Sequence, residues 1–191
     1  MAKPSTIDLG FGKHAVQIPI LYEDRSVLAI DKPEGWMLVP VSWQNTQRNL
    51  QAALNSSIAA GDFWARSRSI KFLRNAHRLD ADTTGILLLV KSQNALDQYS
   101  GLFETRRMEK IYLTVVRGVP RQPEWPSRAK IAPDPSQIGR MMVDARKGKD
   151  AETQFKVLAT REDAKLGGLT LVEAHPVTGR THQIRVHLAD A

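Results

Sequence analysis

The chain has 191 residues, of which 42% are hydrophobic and 25% charged, with 12 Gly and 10 Pro; this composition excludes collagen-like, coiled-coil and disordered classes and allows a substantial globular core. Cys is absent, which excludes disulfides, thiolate nucleophiles and Cys-ligated zinc or iron–sulfur sites and suits a reducing, cytoplasmic setting. Lys and Arg number 27 against 20 Asp and Glu, and residues 66–150 alone hold 17 basic and 9 acidic side chains, so the cationic excess is central and points to a polyanionic partner. The opening MAKPSTIDLGFGKHAV has no apolar run of signal-peptide type, and no segment has membrane-spanning length, so a soluble protein is expected.

Residues 1–15 read as a leader and 16–191 as a single domain. Segments 16–21 (VQIPIL) and 26–31 (SVLAID) predict short strands around a polar turn, after which Lys32-Pro33-Glu34-Gly35 breaks the pattern. Leu50, Ala53, Leu54 and Ile58 form an apolar stripe that predicts a helix within 45–60. The continuous run GILLLV at 85–90 predicts a strand covered on both faces, fed by the polar loop 80–84. Ser92 is placed to cap a helix with Leu96, Tyr99, Leu102 and Phe103 at helical spacing, and Arg106 and Arg107 suit its negative end. Segment 111–116 (IYLTVV) predicts a strand ending at Gly118 and Pro120, and 153–158 and 169–174 predict two more, set to pair around Gly167-Gly168. Residues 178–189 read as a turn feeding a helix, with Thr178 or Thr181 as its cap. Strands interspersed irregularly with helices predict an α+β fold on a central mixed or antiparallel sheet.

Asp80 is the first candidate for chemistry. In His77-Arg78-Leu79-Asp80 a carboxylate directly follows a basic pair, in a loop held by an apolar strand. An ionised carboxylate serves as nucleophile or base, and a nearby cation keeps it ionised. The bland alternative is a loop Asp that bonds its own backbone. His182 and Arg185, three apart after Gly179-Arg180-Thr181, would share a helix face suited to a phosphate or carboxylate, or form an ordinary basic surface. Tyr112 either fills the core or offers a ring on which a base stacks. Metal chemistry has little support, because His182 and His187 are five apart and no HExxH occurs; no G-x-S-x-G nucleophile elbow is present either.

Together these segments resemble the RluA-type pseudouridine synthases. HRLDADTTGILLLVKS at 77–92 resembles that family's catalytic signature, and Asp31-Lys32-Pro33-Glu34-Gly35 its upstream Lys-Pro-x-Gly element. Lys110-Ile111-Tyr112 resembles its basic-x-Tyr strand, and GRTHQIRVHLA at 179–189 its C-terminal signature. The resemblance implies a pseudouridine synthase fold and isomerisation of a uridine in ribosomal or transfer RNA, with no cofactor and no metal, and with RNA as the one expected partner. It implies that Asp80 is the catalytic aspartate, that Arg185 is the basic residue paired with it, and that Tyr112 stacks on the target base. It further implies that Arg78 helps to hold the flipped nucleotide. His77, Arg106, Arg107, Lys110, Arg180 and His182 are expected RNA contacts, as are Arg146, Lys147 and Lys149 on charge alone. Relatives continue past HLA with Gly-His-Pro and Gly-Asp stretches where this sequence ends at Asp190-Ala191, so a truncated C-terminus is expected. The rivals are a noncatalytic RNA-binding module, which needs Tyr112 and the basic surface but not Asp80, and a nucleotide-handling hydrolase.

Overall fold

The computed structural model describes residues 2–10, 15–38 and 48–191. They form two compact units, Met1–Thr105 and Arg106–Ala191, of α+β type as expected, with the pairs between named strands all antiparallel.

The first unit is built on a five-stranded sheet. Strand β1 is Thr6–Leu9, β2 Val16–Glu23, β3 Val27–Lys32, β4 Arg74–Asn75 and β5 Gly85–Val90, in the order β1-β2-β3-β5-β4. β1 falls among the residues read as a leader; Ile7 and Leu9 are buried, and the strand pairs with β2 from Thr6↔Pro19 to Leu9↔Val16. β3 is central and buried along nearly its whole length, as a strand flanked on both edges should be. β5 departs from the expected cover on both faces. Leu87 and Leu89 are fully buried, but on the opposite face only Leu88 and Val90 gain cover, in a cluster with Leu96, Tyr99 and Phe103, while Ile86 remains 65% exposed.

That cover comes from α3, Gln93–Glu104, which starts where Ser92 accepts a hydrogen bond from the Ala95 amide at 3.2 Å. Arg106 and Arg107 lie beyond its last turn, and Arg106 takes a left-handed φ of 59°. Helix α1 is Leu50–Ala60. Asn49 accepts from the Ala52 amide at its start, and Gly61, at φ 71°, donates to the Ile58 carbonyl at its end, a conformation open to Gly without a Cβ clash. The expected helical residues 45–47 lie outside the described residues. A short helix, α2 (Phe63–Arg66), follows α1.

The second unit carries a four-stranded sheet of β6 (Tyr112–Arg117), β7 (Glu124–Ser127), β10 (Thr153–Asp163) and β11 (Gly167–Pro176), in the order β6-β11-β10-β7. The hairpin of β10 and β11 forms as expected, but its turn is Ala164-Lys165-Leu166, and both glycines fall in β11, Gly167 opposite Asp163 with φ 75°; a bulge between Val157 and Ala159 shifts the register. A separate ribbon pairs β8 (Ile131–Pro133) with β9 (Met141–Val143). Helix α4, Gln183–Asp190, lays Ile184 and Leu188 against Phe155, Val172 and Ala174, where Trp125 stacks on Phe155 at 5.1 Å. Neither Thr178 nor Thr181 caps it. The N-cap position belongs to His182, which has φ 55° and no side-chain capping bond, because the Thr178 hydroxyl is committed elsewhere. Among the described residues no helix is long and apolar enough to cross a membrane.

Candidate active site

In the first unit the loop carrying Asp80 is held from below by one side chain. Lys32, at the end of β3, is completely buried, and its Nζ donates to the carbonyls of Pro33 (2.9 Å), Ala81 (2.8 Å) and Thr83 (2.8 Å). All three ammonium protons are thus engaged. The Gly35 amide donates to the same Ala81 carbonyl at 2.8 Å, and the Thr83 amide closes a turn on the Asp80 carbonyl. Burial lowers the Lys32 pKa from 10.5, opposed by the negative charges of Asp82, Asp80 and Glu34. Asp80 itself is half-buried, with Leu79 beneath the loop at 8% exposure, so the carboxylate sits on a fixed backbone with a cation of its own unit nearby.

His77 is built into this support. Its Nε2 accepts from the Leu88 amide of β5 at 3.1 Å, its ring stacks on Phe103 at 4.7 Å, and its carbonyl accepts from Asn75 Nδ2. An accepting Nε2 requires the neutral ring with its proton on Nδ1. The imidazole therefore ties the HRLD segment to the strand behind it. Arg78, next in sequence, is exposed.

In the second unit Tyr112 opens β6, opposite Ala174, and its half-buried ring packs on the Phe155 cluster that also receives Ile184 of α4. The turn leading into α4 is organised by Gln183. Its Oε1 accepts from the Thr178 hydroxyl (2.6 Å) and the Arg180 amide (2.9 Å), and its Nε2 donates to the Glu152 carbonyl (2.9 Å) and Thr153 Oγ1 (3.0 Å). His187, fully buried, continues the chain, with Nδ1 at 2.9 Å from Thr153 Oγ1 and Nε2 at 3.0 Å from the Ala129 carbonyl. A carbonyl only accepts, so Nε2 carries the proton and Nδ1 accepts from Thr153.

The remaining expected RNA contacts divide in two. Lys110 donates to the Thr178 carbonyl at 3.2 Å and is half-buried; burial lowers its pKa, reinforced by the Arg106 charge, so it braces the same turn. Arg180 is exposed, although its Nε reaches the Asp150 carbonyl at 2.9 Å. Arg106, Arg107, Arg146, Lys147 and Lys149 are exposed, and His182 is half-buried. Arg185 is exposed on α4, lining a cavity of about 340 Å³ with Arg140, Met141 and Met142. Because His182 precedes the first helical residue, the three-residue helical spacing expected of it and Arg185 does not apply. Among the described residues no three His, Asp or Glu are grouped to hold a metal.

The first unit thus fixes an HRLD loop on a buried lysine, and the second a GRTHQIR turn on a buried glutamine, each on an antiparallel sheet. The family model described as RNA pseudouridylate synthase matches residues 26–190, and the chain belongs to that family, within its RluA-type branch. It is 36% identical over 174 residues to ribosomal large subunit pseudouridine synthase C of Salmonella typhi, covering 88% of this chain and 48% of that protein. The same enzyme of Yersinia pestis is 36% identical over 178 residues, covering 90% of this chain and 49% of the relative. The chain thus spans about half the length of the curated relatives it matches. Among solved structures, Human RNA Pseudouridylate Synthase Domain Containing 4 superposes with a TM-score of 0.69 at 28% identity, over 90% of this chain and 63% of that one. Human RNA Pseudouridylate Synthase Domain Containing 1 shares the fold, with a TM-score of 0.70 at 24% identity over 91% of this chain and 64% of that one.

Proposed function

We propose that residues 16–191 form the catalytic domain of an RNA pseudouridine synthase, acting in the cytoplasm on a specific uridine of ribosomal or transfer RNA. The names of the relatives favour ribosomal RNA. The observation that carries the reading is the Asp80 loop, whose backbone is held by two of the three bonds of Lys32 inside a family-matched segment. A loop that only turned the chain has no need of a fully buried ammonium to fix the carbonyls of Ala81 and Thr83.

In the reaction the N1–C1′ bond of uridine breaks, the uracil turns, and C5–C1′ forms; the C5 proton is lost and N1 ends protonated. Asp80 initiates cleavage, as nucleophile or by removing the 2′ proton. Tyr112 stacks on the base and assists loss of the C5 proton. Arg185 supplies the cation of the reaction, its guanidinium able to offer two parallel donors to a carboxylate. Arg78 holds the extruded nucleotide. Arg106, Arg107, Arg180 and His182 contact RNA, while Lys110 and His77 position the elements that do so.

Tritium release from RNA labelled at uridine C5 tests the proposal. The protein is expected to release tritium without liberating uracil, and Asp80→Asn to abolish release while RNA binding survives. Binding without release in the unsubstituted protein would instead favour the noncatalytic RNA-binding module.

A further inference from the structure

A cavity of about 510 Å³ lies at the far end of the first unit from Asp80. Its lining includes five cationic side chains, Lys3, Arg25, Arg68, Lys71 and Lys91, and two acidic ones, Glu23 and Asp24. These residues come from four separate stretches of chain. β3 and β5 measure the separation: the cavity borders their Val27 and Val90 ends, whereas Lys32 and Gly85 at the opposite ends adjoin the Asp80 loop. Five residue steps at about 3.3 Å each put the two places roughly 17 Å apart.

Both acids are already occupied. Glu23 accepts from Arg68 Nε (2.9 Å), Lys91 Nζ (2.8 Å) and Lys3 Nζ (3.4 Å), one carboxylate for three cations. Asp24 Oδ1 accepts from the Ser26 and Val27 amides, both at 2.7 Å, and its Oδ2 accepts from the Tyr22 hydroxyl. Arg68 is nearly buried, its guanidinium also donating to the Pro4 and Trp64 carbonyls, so it is a fixed wall of the cavity. Arg25 and Lys71 are exposed at the rim, and among the described residues neither has an ion pair. Ser69, at φ 54°, turns the chain between Arg68 and Lys71.

We propose that this cavity binds two neighbouring backbone phosphates of the RNA substrate, with Arg25 and Lys71 as the contacting cations, one to each, and the Glu23-centred ion pairs as their support. The inference rests on the RNA-modifying reading and adds to it a second anchoring point remote from the reacting nucleotide. At about 3.4 Å per step of a stacked strand, the separation corresponds to roughly five nucleotides. Two rim cations with no ion pair among the described residues suit a chain of phosphates passing over the surface, which exchanges its counterions for them.

The test uses the full chain with the double substitution Arg25→Gln and Lys71→Gln, and binding of a fluorescent 20-nucleotide oligouridylate at a series of salt concentrations. Loss of two phosphate contacts should flatten the slope of log affinity against log salt by about one per residue. The swap Arg25→Lys with Lys71→Arg should restore it, and the melting temperature should stay unchanged. An unchanged slope would overturn the subsite. So would inorganic phosphate that binds at millimolar concentration and depends on both residues while the RNA slope does not, because the site would then take a small free anion. Tritium release by the unsubstituted protein is measured alongside. If RNA binding depends on both residues but no tritium is released, the subsite stands and the enzymatic reading fails. If tritium is released and the slope is unmoved, the reverse holds.

Discussion

The Nζ of Lys32 stands 2.8 Å from the carbonyl oxygen of Ala81, the residue that follows Asp80, across a separation of 49 residues in sequence. A cation has been taken wholly out of water and repaid mainly in backbone hydrogen bonds. That relationship makes the site's geometry depend on a residue that need not touch the substrate.

Lys32→Met should therefore be costly. It leaves the carbonyls of Pro33, Ala81 and Thr83 without their shared donor, a loss of about 3–5 kcal/mol. At roughly 2–4 °C per kcal/mol for a chain of this size, thermal melting should fall by about 10 °C, and tritium release at a temperature where the variant is folded should fall with it. Full turnover in the variant would show that the Asp80 loop holds its shape unaided.

Arg185 and Tyr112 separate charge from geometry and stacking from proton transfer. Arg185→Met should reduce single-turnover rates by about 10²–10⁴-fold in a folded protein, with Arg185→Lys intermediate because it keeps the charge and loses the fork. Tyr112→Phe should retain RNA binding through its ring while losing the hydroxyl's part in removal of the C5 proton. Near-normal rates for Arg185→Met would remove that residue from the mechanism.

His187→Leu tests whether the buried donor chain from Gln183 through Thr153 to the Ala129 carbonyl is structural. The substitution leaves that carbonyl and the Thr153 hydroxyl proton without partners and should destabilise by about 2–4 kcal/mol in chemical denaturation. A destabilisation below about 0.5 kcal/mol would indicate that the pocket rearranges around the new side chain.

Acid should weaken the first unit through Glu23. Burial raises its pKa, but the hydrogen bonds from Lys91 and Arg68 and their charges outweigh that, and the net shift is downward from 4.5. A carboxyl that is more acidic folded than unfolded stabilises the fold above its unfolded pKa, and this contribution disappears as pH falls from about 4.5 through the folded value. Glu23→Gln should flatten the acid limb of a stability profile below about pH 4.5, measured by urea denaturation at each pH. An identical acid limb in the variant would assign the sensitivity to other carboxylates.

Much of this architecture is written in local pattern. β5 runs from Gly85 to Val90 as the apolar run predicts, and Ser92 caps α3, because a strand between a polar loop and a capping residue is marked at both ends. The antiparallel pairing of β10 and β11 is equally local, a turn joining two apolar runs. β1, β4, β7, β8 and β9 escaped prediction: each has two to four residues, and β7 and β8 include a proline, so partner strands rather than propensity hold them. The site divides in the same way. Its motifs stand out in sequence, but Lys32 reads as the start of a chain-breaking Lys-Pro and His187 as a weak metal candidate, whereas both are buried and hydrogen-bonded. For His187 a signal existed, since it lies three residues after Ile184 and beside Leu188 on the face that meets the sheet.

The pairing of β3 with β5 also has a meaning for synthesis on the ribosome. β1, β2 and β3 form a contiguous meander, but the second edge of β3 finds its partner only after roughly 50 more residues have been added, about 3–10 s at ordinary elongation rates. During that interval the most deeply buried strand of the unit offers an open row of amides and carbonyls to any neighbouring nascent chain. Chaperone demand should peak as residues 33–84 emerge and drop once Val90 has cleared the exit tunnel.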